Sequence, residues 1–147
     1  MDHGESMALD DQLCFAIYAA SRSVTAAYRP LLTELDLTYP QYLVMLLLWE
    51  HETRSVKEVG AALHLDYGTV TPLLKRLQQR GLLTRRRRTD DERGVDVVLT
   101  DEGRALHERA RDVPVGMAEA FGLPAEQRAA LRDQLHALVR HMDAYAA

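Results

Sequence analysis

Two sets of residues in this chain have the chemistry for a specific function, and the first is a single thiol. Cys14 is the one cysteine among 147 residues, so no disulfide can form within the chain. A cysteine thiolate is a nucleophile that a peroxide can oxidise. Without a second cysteine, the oxidised sulfur would remain a sulfenic acid, form a sulfenamide, or form a mixed disulfide with an external thiol. The common alternative is that a lone cysteine is simply a small buried apolar residue.

The second set is a concentration of positive charge between Lys75 and Arg93. This stretch holds eight basic and three acidic residues, a net charge of +5. The other 128 residues hold ten basic and nineteen acidic residues, a net charge of −9. Such a distribution is expected when one face binds a polyanion while the remainder keeps the protein soluble. The alternative is a solvated surface hairpin with no ligand.

The residues around this charge predict a winged helix-turn-helix over positions 55–100. A short helix (SVKEVGAAL), a turn (HLD) and a longer helix (YGTVTPLLKRLQQRG) are followed by two strand patterns around a charged tip, LLTRRRR-TDDERG-VDVVLT. A helix that can enter a major groove would thus precede a basic hairpin that can reach the DNA backbone or a minor groove. We therefore expect double-stranded DNA as a partner.

The longer helix has an apolar face for the core and a polar face for a ligand. Its inward positions follow the i, i+3, i+4, i+7 spacing: Val70, Leu73, Leu74 and Leu77. Hydroxyl and cationic side chains that can bind phosphates or base edges occupy the rest. These are Tyr67, Thr69, Thr71 and Lys75, with Arg76 and Arg80 at the flanks.

The sequence allows two alternative first residues for this helix. Asp66 is a good N-cap for a helix that begins at Tyr67, but Pro72 would then lie inside, where its missing N–H leaves the Gly68 carbonyl without a partner. A helix that begins at Thr71 would instead place Pro72 at the first helical position.

The N-terminal third of the chain is predicted to be helical. Apolar residues recur at helical spacing over 8–28, and Pro30 marks an end or a fresh start before a short helix at 30–36. A third helix opens at Pro40 and is apolar nearly all round, which indicates a central position.

The C-terminal third is predicted to be helical as well. Thr100 is a plausible N-cap for a long helix that runs to about residue 113, where Pro114 bends or breaks it. Pro124 begins the final helix, whose apolar residues include Leu131 and Leu135. The fold class is therefore mainly α, with a two-stranded wing.

Length and composition place the chain among single-domain soluble proteins. It is long enough for one core. Its longest apolar run, residues 42–49, falls short of the ~18 residues that a membrane span needs, and MDHGESM does not read as a signal peptide. We expect a cytoplasmic protein with no membrane contact. The six histidines are scattered, and no phosphate loop or catalytic triad is visible, so neither metal, cofactor nor enzymatic activity is expected.

The wing and the longer helix resemble the multiple antibiotic resistance regulator (MarR) family. The family's D-x-R pattern falls on Asp91 and Arg93. Its D-x-G-T-x-T-P-x-x-x-R pattern falls on Asp66, Gly68, Thr69, Thr71, Pro72 and Arg76. The resemblance implies a recognition helix that contains the proline, and an Arg93 that enters the minor groove while Asp91 holds its guanidinium. It also implies a homodimer built from helices in about 1–36 and 101–147, around a DNA-binding region at about 40–100.

The residues around the thiol resemble the organic hydroperoxide resistance regulators of that family. The matching segments are LDDQLCFAIYAASR, TYPQY and LLLWEHE. In these repressors one cysteine of the first helix senses peroxide, which implies a sensing role for Cys14. Two tyrosines that hydrogen-bond this cysteine map onto Tyr28 and Tyr39, and Tyr18 matches a further tyrosine of the first helix.

The spacing of Cys14 and Tyr28 adds a constraint of its own. Fourteen residues on one helix place them ~21 Å apart, so they can meet only if the helix breaks or the tyrosine comes from a second subunit. Phenolic O–H groups can stabilise a thiolate. A pocket lined by Phe15, Leu43, Leu46 and Leu47 would suit an organic hydroperoxide.

These observations predict a dimeric repressor that releases an inverted-repeat operator when a peroxide oxidises Cys14, with a low-molecular-weight thiol as a further reactant. One alternative is a repressor released by a small phenolic ligand, with Cys14 structural; another is a thiol peroxidase. The predicted DNA-contacting residues are Tyr67, Thr69, Thr71, Lys75, Arg76, Arg86, Arg87, Arg88, Asp91 and Arg93.

Overall fold

The computed structural model describes residues 5–90 and 93–147, which form helices around a small antiparallel sheet. A single 3-10 turn at Leu9–Asp11 precedes the first helix. In chain order the elements are α1 Leu13–Thr33, α2 Tyr39–His51, β1 Thr53–Ser55, α3 Val56–Leu63, α4 Tyr67–Gln79, β2 Leu83–Arg87, β3 Val95–Leu99, α5 Asp101–Arg109, α6 Asp112–Phe121 and α7 Ala125–Ala146.

The helix-turn-helix begins at a capping box. The Ser55 side chain accepts a hydrogen bond from the Glu58 N–H at 3.0 Å, and the Glu58 carboxylate accepts one from the Ser55 N–H at 3.0 Å. The first helix, α3, ends at His64, which takes a left-handed conformation with φ 56°. A short turn then connects α3 to α4.

The recognition helix α4 begins at Tyr67, so Pro72 lies inside it. Asp66 caps it by accepting a hydrogen bond from the Thr69 N–H at 2.8 Å. The alternative start at Thr71 is therefore wrong. Burial compensates for the hydrogen bond that Pro72 cannot make, since Val70 and Leu74 on either side of it are fully buried.

The sheet contains the predicted hairpin and one strand that the sequence did not predict. Strands β2 and β3 pair antiparallel from Leu83 opposite Leu99 to Arg87 opposite Val95. Strand β1 adds to the other edge of β3, with Arg54 opposite Val97, in the order β1-β3-β2. Three residues of β1 carry too little alternation to signal a strand, and they become one because β3 offers unpaired backbone groups.

The core lies where α2, α3, α4 and the sheet meet. Side chains with almost no exposed surface come from each of these elements, among them Met45, Leu48, Val59, Leu74, Leu77, Leu83 and Val97. The central position predicted for α2 is confirmed. Trp49 of α2 donates its indole N–H to the Gly103 carbonyl of α5 at 2.8 Å. Gly103 is required there, because a Cβ would lie 2.2 Å from the Leu82 carbonyl oxygen.

The boundaries of α1 differ from the prediction. The helix begins at Leu13 and runs through Pro30 to Thr33 without a break, so no separate helix covers 30–36. The last turn retains its helical form because Leu32 and Leu35 are buried and because the Thr33 hydroxyl donates to the Arg29 carbonyl at 2.7 Å. Packing here outweighs the missing proline donor.

The helix that starts after Thr100 is also shorter than predicted. Thr100 caps α5 as expected, accepting from the Gly103 N–H at 3.0 Å, but α5 ends at Arg109. Pro114 then lies in the first turn of α6, where its lack of an N–H costs nothing. The proline therefore belongs to the start of a helix, and does not break one.

The chain divides into two compact units, the first ending at Arg111 and the second comprising Asp112–Ala147. The second unit contains α6 and α7, and Leu131, Leu135, Met142 and Tyr145 are all exposed on α7. Among the helices of the described residues, none is long and apolar enough to span a membrane.

Candidate nucleic-acid interface and redox site

The recognition helix α4 presents a polar face to solvent. Tyr67, Thr69, Lys75 and Arg76 are exposed, with Tyr67 showing 72% of its surface. Four residues of the opposite face, Val70, Leu73, Leu74 and Leu77, are buried as predicted. The helix is thus fixed to the core along one side and free to contact a ligand along the other.

Thr71 differs from the prediction for this helix. Its Oγ1 is buried and has no hydrogen-bond partner among the described residues. Thr71 precedes the buried Leu74 by three residues, so its side chain leans toward the apolar face. The hydroxyl is therefore withdrawn from the surface in this structure, and a DNA contact by Thr71 stays a prediction.

The four consecutive arginines at the base of the wing fall into two pairs. Arg85 donates to the Gln78 side chain at 2.8 Å, and Arg88 donates through Nε and Nη2 to the two carboxylate oxygens of Asp90, both at 3.1 Å. Arg86 and Arg87 are exposed. Within residues 5–90 and 93–147, neither side chain makes a hydrogen bond or ion pair, although both backbones pair with β3. Only the second pair is therefore fully available to an external anion.

The tip of the wing carries Arg93, which is exposed as predicted. Its expected partner, Asp91, lies outside the described residues, so their pairing stays a prediction. Arg93 lines a cleft of about 510 Å³ together with Lys57, Tyr67 and Arg88. The cleft places three cationic side chains between α3, the start of α4 and the wing.

A further arginine, Arg80, anchors the far end of α4. Its guanidinium donates to the carbonyls of Asp36 and, at 3.2 Å, Leu35, in the turn between α1 and α2. The sequence placed Arg80 only at the flank of the helix. A left-handed φ of 54° at Asp36 exposes these carbonyls, a feature that the sequence did not signal.

Cys14 lies in the first turn of α1 and is exposed. Its neighbours are exposed too: Leu13 shows 67% of its surface and Tyr18 shows 58%. Tyr18 accepts a hydrogen bond from Arg22 at 3.3 Å, and the guanidinium lies 5.6 Å from the ring centroid. Cys14 is therefore not a buried packing residue of its own subunit, and a dissolved reactant can reach it.

The two tyrosines assigned to the thiol meet at the other end of α1. The rings of Tyr28 and Tyr39 lie 4.7 Å apart, and that of Tyr42 lies 5.6 Å from Tyr28. Burial, followed by the neighbouring Tyr39 and Tyr42, raises the pKa of Tyr28 to about 12, and burial also raises the pKa of Tyr39. Both phenols thus keep their protons near neutral pH and remain hydrogen-bond donors. Tyr42 was not predicted to join them.

The expected pocket is incomplete within one subunit. Phe15 and Leu46 are exposed, and Leu43 and Leu47 are half-buried. The enclosure of an organic hydroperoxide by these four residues stays a prediction that requires a second subunit. No group of three potential metal ligands occurs among the residues that the structure describes.

Comparison with known proteins identifies the family. The family model described as Transcriptional regulator SarA/Rot matches residues 26–110. The organic hydroperoxide resistance transcriptional regulator of Bacillus subtilis is 49% identical over 138 residues, 92% of each chain.

Two solved structures share the fold. Reduced AbfR of Staphylococcus epidermidis bound to DNA has a TM-score of 0.76 and 34% identity, over 91% of this chain and 94% of that one. A MarR-family transcriptional regulator from Rhodococcus sp. RHA1 has a TM-score of 0.81 and 28% identity, over 90% and 96%. Two of these three proteins are named as transcriptional regulators and the third is bound to DNA, which gives no support to a thiol peroxidase. This chain therefore belongs to the MarR family of winged helix-turn-helix transcriptional regulators, in the group of the organic hydroperoxide resistance regulators.

Proposed function

We propose that this protein is a cytoplasmic homodimeric repressor that leaves its operator when an organic hydroperoxide oxidises Cys14. The observation that carries the proposal is the arrangement of α1. An exposed thiol lies at one end of the helix and two protonated phenols at the other. The continuous helix keeps them ~21 Å apart within one chain. A Tyr28 that contacts a thiol must therefore contact that of a second subunit.

Exposed apolar surface supports the second subunit. Leu9, Leu13 and Ile17 are exposed around Cys14. In the C-terminal unit of the same chain, Leu131 and Tyr145 are exposed on α7. Large apolar side chains in such runs mark interfaces between proteins. Antiparallel packing of two α1 helices would bring each thiol to the partner's tyrosine pair and close the apolar pocket around it.

The reaction at the thiol follows from its chemistry. The Cys14 thiolate attacks one peroxide oxygen; the S–O bond forms, the O–O bond breaks, and the alkoxide leaves and takes a proton to become an alcohol. The sulfur is oxidised by two electrons to a sulfenic acid, and the hydroperoxide is reduced. A low-molecular-weight thiol then condenses with the sulfenic acid and releases water. Either product enlarges a side chain at the interface and changes the spacing of the two DNA-binding regions.

The DNA site follows from twofold symmetry. Two recognition helices related by a dyad fit successive major grooves of an inverted repeat. We propose that Tyr67, Thr69, Lys75 and Arg76 of α4 contact the major groove, that Arg86 and Arg87 contact phosphates, and that Arg93 enters the minor groove. Affinity should fall ~10³-fold or more between 50 and 200 mM salt, since several phosphates are neutralised by each subunit.

The decisive experiment compares the wild type with Cys14→Ser. The probe is an inverted-repeat duplex that the wild-type protein selects from a random-sequence library. Stoichiometric cumene hydroperoxide should raise the intact mass of the wild-type protein and release the duplex, while the serine variant binds the duplex and keeps it. Release of both proteins without a mass change would favour a ligand-gated repressor, and catalytic consumption of hydroperoxide would favour a peroxidase.

A further inference from the structure

Among the four arginines of the wing, Arg88 makes the most side-chain contacts with described residues. Its guanidinium donates to both carboxylate oxygens of Asp90 at 3.1 Å. Nε also lies 4.0 Å from a carboxylate oxygen of Asp96 on β3. Bidentate arginine–carboxylate pairs fix orientation as well as position. The charge of Arg88 is thus already balanced, in contrast to that of Arg86 two residues earlier.

The backbone and the aliphatic part of Arg88 close the wing from the other side. The Arg88 N–H donates to the Gly94 carbonyl at 2.8 Å, which extends the β2–β3 ladder beyond Arg87. The side chain then lies across Gly94 so closely that a Cβ at position 94 would be 2.6 Å from Arg88 Cδ. Arg88 therefore holds both ends of the tip, at Asp90 and at the residue next to Arg93.

We infer that Arg88 is a positioning residue that fixes the wing tip, with Asp90 and Gly94, so that Arg93 is aimed at the DNA. It is not itself a DNA contact, although the sequence analysis placed it among them. This inference rests on the proposed role of the wing in binding DNA. The side-chain hydrogen bond from Arg88 lowers the pKa of Asp90, so the carboxylate is ionised and the pair is intact across the neutral range.

The two roles predict opposite effects for Asp90→Asn. If Arg88 contacts a phosphate, loss of the carboxylate frees the guanidinium, removes a negative charge near the DNA and tightens binding. If Arg88 fixes the tip, the same change loosens it and weakens binding about threefold to fivefold, as expected for an exposed bidentate pair. Affinity is measured with the selected inverted-repeat duplex.

The matched control is Glu108→Gln. Glu108 pairs with Arg111 at 3.1 Å and its side chain is 70% exposed, against 3.1 Å and 68% for Asp90. The control removes the same charge from an exposed pair on α5 that has a single hydrogen bond, and it should leave affinity unchanged. Melting curves of both variants should match the wild type, because the carboxylates of both pairs are exposed.

Two further variants separate positioning from a structural or purely electrostatic role. Arg88→Lys keeps the charge but loses the bidentate geometry, and it should bind as weakly as Asp90→Asn. Gly94→Ala should displace the Arg88 side chain and weaken binding in the wild-type background. In an Arg88→Ala background it should add almost nothing, because the atoms it would strike are gone.

The outcomes distinguish this inference from the proposed function. If Arg93→Ala retains wild-type affinity, the wing does not bind DNA, and the part of the proposed function that assigns Arg93 to the minor groove is rejected. If Arg93→Ala weakens binding but Asp90→Asn tightens it or leaves it unchanged, the wing binds DNA and the positioning role of Arg88 is rejected. Full affinity of Arg88→Lys would reject it as well.

Discussion

Helices α1 and α4 have similar amphipathic sequences, yet they differ in how much of their stability lies within one chain. The thirteen residues of α4 include four buried side chains and an Asp66 cap. The 21 residues of α1 include one, Leu32, and no side-chain cap at the N-terminus. The apolar face of α4 is completed by the core, whereas the N-terminal half of α1 has its apolar face in solvent. An apolar stripe thus predicts that another surface packs against it, but it does not show whether that surface belongs to the same chain or to a second subunit.

The largest expected effect tests whether a second subunit covers α1. Ile17→Glu should leave the subunit folded but monomeric, and operator affinity should fall ~10³-fold because two half-sites no longer act together. Ala26→Glu is the control, since nine residues further along it lies on the opposite side of α1. Light scattering and duplex binding measure both variants. A dimer with wild-type affinity would show that this face is not the interface.

The corresponding change in α4 should act differently. Leu74→Ala removes a fully buried side chain and should lower the free energy of unfolding by ~2–5 kcal/mol. Urea denaturation at a protein concentration far above the dimer dissociation constant measures this loss. A stability loss that vanishes at high concentration would mean that α4, like α1, depends on the partner.

The effect next in size concerns the cross-subunit thiol site. Tyr28→Phe, Tyr39→Phe double mutants should oxidise about 10–100-fold more slowly, since in the proposed site each phenol donates a hydrogen bond to a charged sulfur. A heterodimer with Cys14→Ser contains one thiol opposite intact tyrosines and should regain close to the wild-type rate. Stopped-flow oxidation with cumene hydroperoxide measures it.

Tyr42→Phe is the control for this experiment. Tyr42 belongs to the same aromatic cluster but is 2% exposed, so it should not reach a partner's thiol and its variant should react normally. A heterodimer as slow as the tyrosine-mutant homodimer would reject the cross-subunit site.

A smaller effect is expected at the wing. Arg93→Ala should weaken operator binding by about 1–3 kcal/mol, or about 5–150-fold, through loss of a groove contact. Its free energy of unfolding should change by less than ~0.5 kcal/mol because Arg93 is exposed. Duplex titration and urea denaturation give the two values. Equal losses in binding and stability would indicate a folding defect instead.

The smallest effect is an alkaline loss of stability at the tyrosine cluster. The pKa of Tyr28 is about 12 in the folded chain against 10.0 for the exposed phenol. Between these values the unfolded chain loses a proton that the folded chain keeps. The stabilisation is therefore complete below pH 10 and is lost as the pH rises toward about 12. Urea midpoints at about pH 9 and about pH 11 should fall further for the wild type than for Tyr28→Phe, and equal falls would contradict the assignment.

Local sequence signals determined the DNA-binding region. The Ser55 and Asp66 caps, the 3.6-residue apolar spacing of α4 and the short strand segments on either side of the charged tip are each signals that span only a few residues. The exposed position of Arg93 and the terminal cap at Thr100 were predicted on the same ground. The resemblance to the organic hydroperoxide resistance regulators came from three segments between residues 9 and 52.

Tertiary structure decided what those local signals leave open. Pro30 stays inside α1 because distant packing buries Leu32 beside it, and Thr53–Ser55 form a strand because β3 returns to pair with them. The wing has four consecutive arginines that the sequence does not distinguish. In the structure, Gln78 accepts a hydrogen bond from Arg85 and Asp90 accepts one from Arg88, whereas the Arg86 and Arg87 side chains face solvent. Both partners lie within seven residues of their arginines, but the folded hairpin decides which arginines they reach, since neither periodicity nor composition records it.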